Sequence, residues 1–184
     1  MSRLMLMTSL ASILPLTGCG QYLGAYDVKS ISLVPMMFLT SEGKDPGYGE
    51  YFQVDLTSAT DITSLGARSV YADAKFCGAR DEDDLVAFGP GDDSGRDLRS
   101  SDSDSPKKGH SDGRFHYRIY IVAAHPMPGV EYSSSWGDQQ RYDLRTTDRD
   151  VCIRLRAPGY YLTPSRSRII RVPARLFADA ASTP

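Results

Sequence analysis

Alternation of apolar and polar side chains recurs in short runs along this chain, and no other feature restricts its fold as strongly. Between Phe115 and Val122 the order Phe-His-Tyr-Arg-Ile-Tyr-Ile-Val puts Phe115, Tyr117, Ile119 and Ile121 on one face of an extended segment, with His116 and Arg118 on the other. Val151, Ile153 and Leu155 alternate in the same way with Cys152, Arg154 and Arg156. Comparable runs cover 26–34, 50–56, 68–77, 85–88, 141–147 and 168–172. Turn-forming groups separate them: Gly43-Lys44-Asp45-Pro46-Gly47, the acidic cluster Asp81-Glu82-Asp83-Asp84, Pro126-Met127-Pro128-Gly129 and Ala157-Pro158-Gly159. No long segment carries the 3.6-residue period of a helix, and the one short helix expected covers 174–181. The expected fold class is therefore all-β, an antiparallel β-sandwich or small barrel of about eight strands with a short C-terminal helix.

The N-terminus follows a different logic. Arg3 precedes a mostly apolar run over 4–14, and small residues follow, in the charge, apolar, cleavage order of an export signal. A transmembrane helix needs about 20 apolar residues, and Pro15 and Thr17-Gly18 interrupt the run before that length. A buried N-terminal helix is the alternative. Leu16-Thr17-Gly18-Cys19 resembles, position by position, the lipobox of bacterial lipoproteins. The resemblance implies cleavage after Gly18 and a diacylglycerol thioether on Cys19, with further acylation of the new amine. Several acyl chains hold a protein to a bilayer stably, where one is marginal. Gly20 stands where an aspartate often marks inner-membrane retention, so the expected address is the outer membrane, facing the periplasm.

That address decides how the cysteines read. With Cys19 assigned to lipid, only Cys77 and Cys152 remain, and in an oxidising compartment they are expected to pair, free buried thiols being the alternative. Neither has a C-x-x-C neighbour or a spaced histidine, which argues against a metal or redox site. Strand phase sets Cys77 with Tyr71, Asp73 and Lys75, and Cys152 with the arginines, so the bridge is expected at an edge or on an outer face. The expected organisation is a signal peptide over 1–18, a tether over 19–25, one domain over 26–177 and a flexible tail over 178–184. A polar insertion over 90–113, rich in Asp, Ser, Gly and Lys, interrupts the domain and reads as a solvated loop. Its aspartates lack the spacing of an EF-hand calcium loop.

Charge divides the mature chain. Residues 19–113 hold 9 basic and 17 acidic side chains, whereas residues 114–184 hold 11 basic and 6 acidic, and every cation of the second set is arginine. Arginine makes planar, bidentate contacts with carboxylates and phosphates, so these strands can pair with the protein's own acidic half or present a face to an anionic partner. Arg154, Arg156 and Trp136 are the candidate partner-binding residues, with the loop over 126–137 as part of the contact region. The slightly acidic whole, at net charge −2, disfavours nucleic acid.

Catalytic patterns are sparse. His110, His116 and His125 lie beside no recognisable nucleophile, no G-x-S-x-G or H-E-x-x-H occurs, and Gly89-Pro90-Gly91 lacks the helix and lysine of a phosphate loop. Tyr160-Tyr161 and Met36-Met37-Phe38 suit core packing as well as recognition. No catalytic residue, cofactor or metal is expected. The expected function is that of a lipid-anchored envelope binding module with membrane attachment and a protein partner. A periplasmic immunity lipoprotein and a periplasmic hydrolase are the alternatives.

Overall fold

The computed structural model describes residues 21–35, 49–65, 69–79, 84–93, 95, 97–98, 112–125, 141–158 and 164–183. Among the described residues eleven strands are present: β1 Asp27–Val34, β2 Tyr51–Ser58, β3 Tyr71–Phe76, β4 Asp84–Leu85, β5 Ala87–Asp92, β6 Phe115–Val122, β7 Ala124–His125, β8 Tyr142–Asp143, β9 Val151–Ala157, β10 Ser165–Arg166 and β11 Ile170–Val172. A helix, α1, covers Ala174–Ser182. Every strand ladder is antiparallel.

One sheet has the order β1-β2-β6-β5, and a second the order β10-β9-β3-β4 with β11 also beside β9. The alternation seen in the sequence sets their inner faces. Phe52, Val54 and Leu56 stand opposite Ile121, Ile119 and Tyr117 in the first sheet. Ala72, Ala74 and Phe76 stand opposite Leu155, Ile153 and Val151 in the second. All twelve are buried and belong to one apolar cluster, so the two sheets close on a shared core as a β-sandwich. The helix seals one side: Phe177 is fully buried, with its ring edge-on to Phe52 at 5.0 Å between centroids.

Several expected strands are broken for local reasons. The run over 85–88 is two strands, because the chain leaves the second sheet after Leu85 and enters the first at Ala87. At the crossing, the Val86 amide donates to the Tyr142 hydroxyl at 3.1 Å. The run over 141–147 pairs only at Tyr142–Asp143, since the Asp143 carboxylate accepts the Arg145 amide at 2.9 Å and turns the chain. Between β10 and β11, the Ser167 hydroxyl accepts the Leu155 amide at 2.9 Å in place of a backbone carbonyl.

The domain also extends past three expected boundaries. Pro90, Gly91 and Asp92 belong to β5 and not to the polar insertion, and Asp92, Asp97 and Leu98 are buried. β5 is an edge strand with a bulge between Phe88 and Gly91, which is where a strand tolerates proline. Residues 21–25 of the expected tether are docked: Leu23 is fully buried, and its amide donates to the Arg166 carbonyl at 3.0 Å. Residues 178–182 of the expected tail are helical. Tyr120 and Val122, on the polar side of the β6 pattern, are buried in a second apolar cluster with Tyr51.

Candidate functional site

The outer face of the second sheet gathers the sequence's arginine candidates in register. Its first row runs Tyr22, Arg166, Arg156, Tyr71, where Tyr22 meets Arg166 through a parallel bridge at the sheet edge. The next row places Arg154 opposite Asp73. In the third, Cys152 lies between Arg171 and Lys75, and Lys75 stands opposite Asp84. Registered neighbours share a face, so the strand pairing itself assembles this surface.

A groove of about 590 Å³ runs along it, lined by the cations Lys75, Arg154, Arg156 and Arg166, the carboxylates Asp73 and Asp84, and the exposed edge of Ile169. Cys77 and Cys152 are joined, with Cα atoms 5.0 Å apart, and Cys152 forms part of the floor. The bridge ties the end of β3 to β9 on the outer face, as strand phase led one to expect. It braces the strand that carries Arg154 and Arg156.

Five arginines of the basic half are ion-paired within the protein. Arg118 pairs with Asp55 at 3.1 Å, Arg114 with Asp27 at 2.6 Å and Arg171 with Asp150 at 2.7 Å. Arg145 contacts both Glu50 and Asp143 at 2.8 Å. Asp73 faces Arg154 in the register yet gives both oxygens to Arg156, at 2.8 and 3.3 Å. Among the described residues Arg154 is thereby left without a carboxylate, and its Nε is buried with no hydrogen-bond partner there. The Arg114 Nε is in the same state, and an unsatisfied buried donor costs about 1–3 kcal/mol. Arg166, exposed one row away, likewise has no side-chain partner among the described residues.

Apolar exposure concentrates in the same place. The large apolar or aromatic side chains exposed among the described residues are Tyr22 at 60%, Ile169 at 50% and Tyr71 at 38%, all on this face or its rim. Tyrosine and arginine are the residues over-represented at the energetic centres of interfaces.

Of the sequence candidates, Arg154 and Arg156 come together here, while Trp136, Cys19, His110, Tyr160-Tyr161, Met36-Met37-Phe38 and the loop over 126–137 lie outside the described residues. Arg166, Tyr22, Tyr71 and Ile169 were not singled out by sequence. Their signal was faint: Tyr22 sits in the stretch read as tether, and only the pairing of β10 with β9 brings Arg166 beside Arg156.

The other polar groups do different work. His116 lies on the outer face of the first sheet, its Nε2 3.0 Å from Asp112. Ser30, which lines the same small pocket of about 170 Å³, donates its hydroxyl hydrogen to Asp55 at 2.8 Å. Hydroxyl and imidazole thus engage different carboxylates, not each other. His125 is buried against Tyr142, ring centroids 6.0 Å apart, and burial pushes its imidazole below the ordinary histidine value. Among the described residues no group of three or more His, Cys, Asp or Glu side chains is placed to hold a metal ion.

No protein-family model, curated protein or solved structure matches this chain. The functional reading therefore rests on its own residues.

Proposed function

We propose that this chain is a lipid-anchored bacterial envelope lipoprotein that acts in the periplasm as a binding module, engaging an anionic partner on the outer face of the sheet formed by β10, β9, β3 and β4. One observation carries the reading: among the described residues Arg154 and Arg166 have no anionic partner, in a groove flanked by exposed Tyr22, Tyr71 and Ile169, while five other arginines are ion-paired. The Leu16-Thr17-Gly18-Cys19 motif and the Cys77–Cys152 bridge support an exported, tethered location.

Two measurements test it. Intact mass of the protein from its native envelope should equal residues 19–184 plus a diacylglycerol and further acyl mass; the mass of the uncleaved, unmodified chain contradicts the anchor. A photo-crosslinking residue at position 169 should give an adduct in native envelopes that an Arg154→Glu, Arg166→Glu variant loses. Absence of an adduct from position 169 contradicts binding at this face.

A further inference from the structure

We infer that the occupant of this face is the anionic phospholipid surface of the membrane that holds Cys19, so that the domain lies against its own bilayer and does not swing free of it. The inference rests on the lipid-anchor reading and names the partner of the same site.

Reach brings this face to the bilayer. Gln21 and Leu23 are already hydrogen-bonded along β10: the Arg166 amide donates to the Gln21 carbonyl at 3.2 Å and the Leu23 amide to the Arg166 carbonyl at 3.0 Å. A chain advances at most about 3.6 Å per residue, so Cys19 lies within about 7 Å of Gln21. Gly20 alone separates the acylated residue from the docked edge. An anchor this short delivers the Tyr22–Arg166 edge to the headgroup region, which is where one end of the arginine face begins.

The composition of the face suits a headgroup layer. Tyr22 and Tyr71 stand at the two ends of a four-residue row with Arg166 and Arg156 between them. At 4.7–4.9 Å per strand, the row spans about 15 Å. Tyrosine is enriched at the headgroup level because its ring is apolar and its hydroxyl polar, and arginine donates bidentately to phosphate oxygens. Ile169 adds an apolar contact beside Arg154. Charge supplies the selectivity. Arg154 and Arg166, without anionic partners among the described residues, are each worth about fivefold at an anionic surface and together shift the docked-to-free ratio by roughly 30-fold. That attraction decays within a Debye length and so falls as salt rises.

The test uses the acylated full-length protein in vesicles of phosphatidylcholine alone or of two parts phosphatidylcholine to one part phosphatidylglycerol. Labelling of arginine by a dicarbonyl reagent is read residue by residue by mass spectrometry. Arg154 and Arg166 should label at least severalfold more slowly in the phosphatidylglycerol vesicles, with high salt abolishing the difference, while Arg114, just before β6 and paired with Asp27 of β1, labels equally in both. In an Arg154→Gln, Arg166→Gln variant, Tyr71 should lose its own composition-dependent protection from hydroxyl radicals. An unchanged unfolding transition and an intact disulfide in that variant exclude misfolding as the cause. Equal labelling in the two vesicles, with Cys19 acylated and the envelope adduct at position 169 present, overturns the lipid assignment and leaves the binding-module reading standing. Protection that appears only on adding lipid-depleted envelope protein assigns the face to a protein and also overturns it. An unacylated Cys19 removes both readings together.

Discussion

Single residues decide where this domain departs from its sequence pattern. Gly89 is the sharpest case, because proline and flanking glycines read as a break, yet the backbone there continues β5 through a bulge. Its φ is +103°, and a Cβ would come within 2.9 Å of the Arg118 carbonyl oxygen, whereas one at Gly78, also at positive φ, would meet nothing within 4 Å. Gly78→Ala is therefore expected to cost only the left-handed penalty of about 1–2 kcal/mol. Gly89→Ala should cost distinctly more in urea unfolding; equal losses would contradict the close approach. Asp143 and Ser167 act by the same local chemistry, each replacing a ladder bond with a side-chain bond. Such substitutions are invisible to a period-two pattern, which records polarity but not hydrogen-bond partners.

At the scale of elements, the alternation was legible wherever both faces of a strand differ. β6 matches its expected bounds, and β9 exceeds its run by one residue. Burial on both faces is harder to see, as Tyr120 and Val122 show. The short helix was legible too, though its role was not. Phe177 closes the core against Phe52, so Phe177→Ala should destabilise the domain by about 3–5 kcal/mol, read as a lower unfolding midpoint. Asp150 starts this helix from another element, accepting the Ala174 amide at 3.0 Å while pairing with Arg171. These two partners, the amide first, hold its carboxyl below the ordinary value of 3.8, and Arg145 does the same for Asp143. A depressed carboxylate stabilises the fold above its unfolded pKa and loses that contribution as pH falls through the folded value. Stability should thus decline below about pH 4, and Asp150→Asn should flatten part of the decline. An identical pH profile in that variant would show that the cap contributes nothing.

The whole molecule depends on pairings that no local pattern encodes. The Cys77–Cys152 bridge was legible because the lipobox reading left two cysteines to pair, but its place in the floor of an arginine groove came from strand order. Closing a loop across 75 positions restricts the unfolded chain by roughly 4 kcal/mol. A Cys77→Ala, Cys152→Ala protein should lose up to that amount in chemical unfolding, and no loss would mean the bridge is mechanically idle. Charge asymmetry between the halves was legible as a total, and much of it is cancelled internally by pairs such as Arg118–Asp55 and Arg156–Asp73. The placement of Arg154 beside Arg166, both outside these pairs, is a property of the assembled sheet. The most direct measurement on that residue pair is dicarbonyl labelling of Arg154 and Arg166 in native envelopes and again after purification in detergent. Both arginines should be protected in the envelope and reactive once purified, and equal reactivity in the two settings would contradict a binding role for this face.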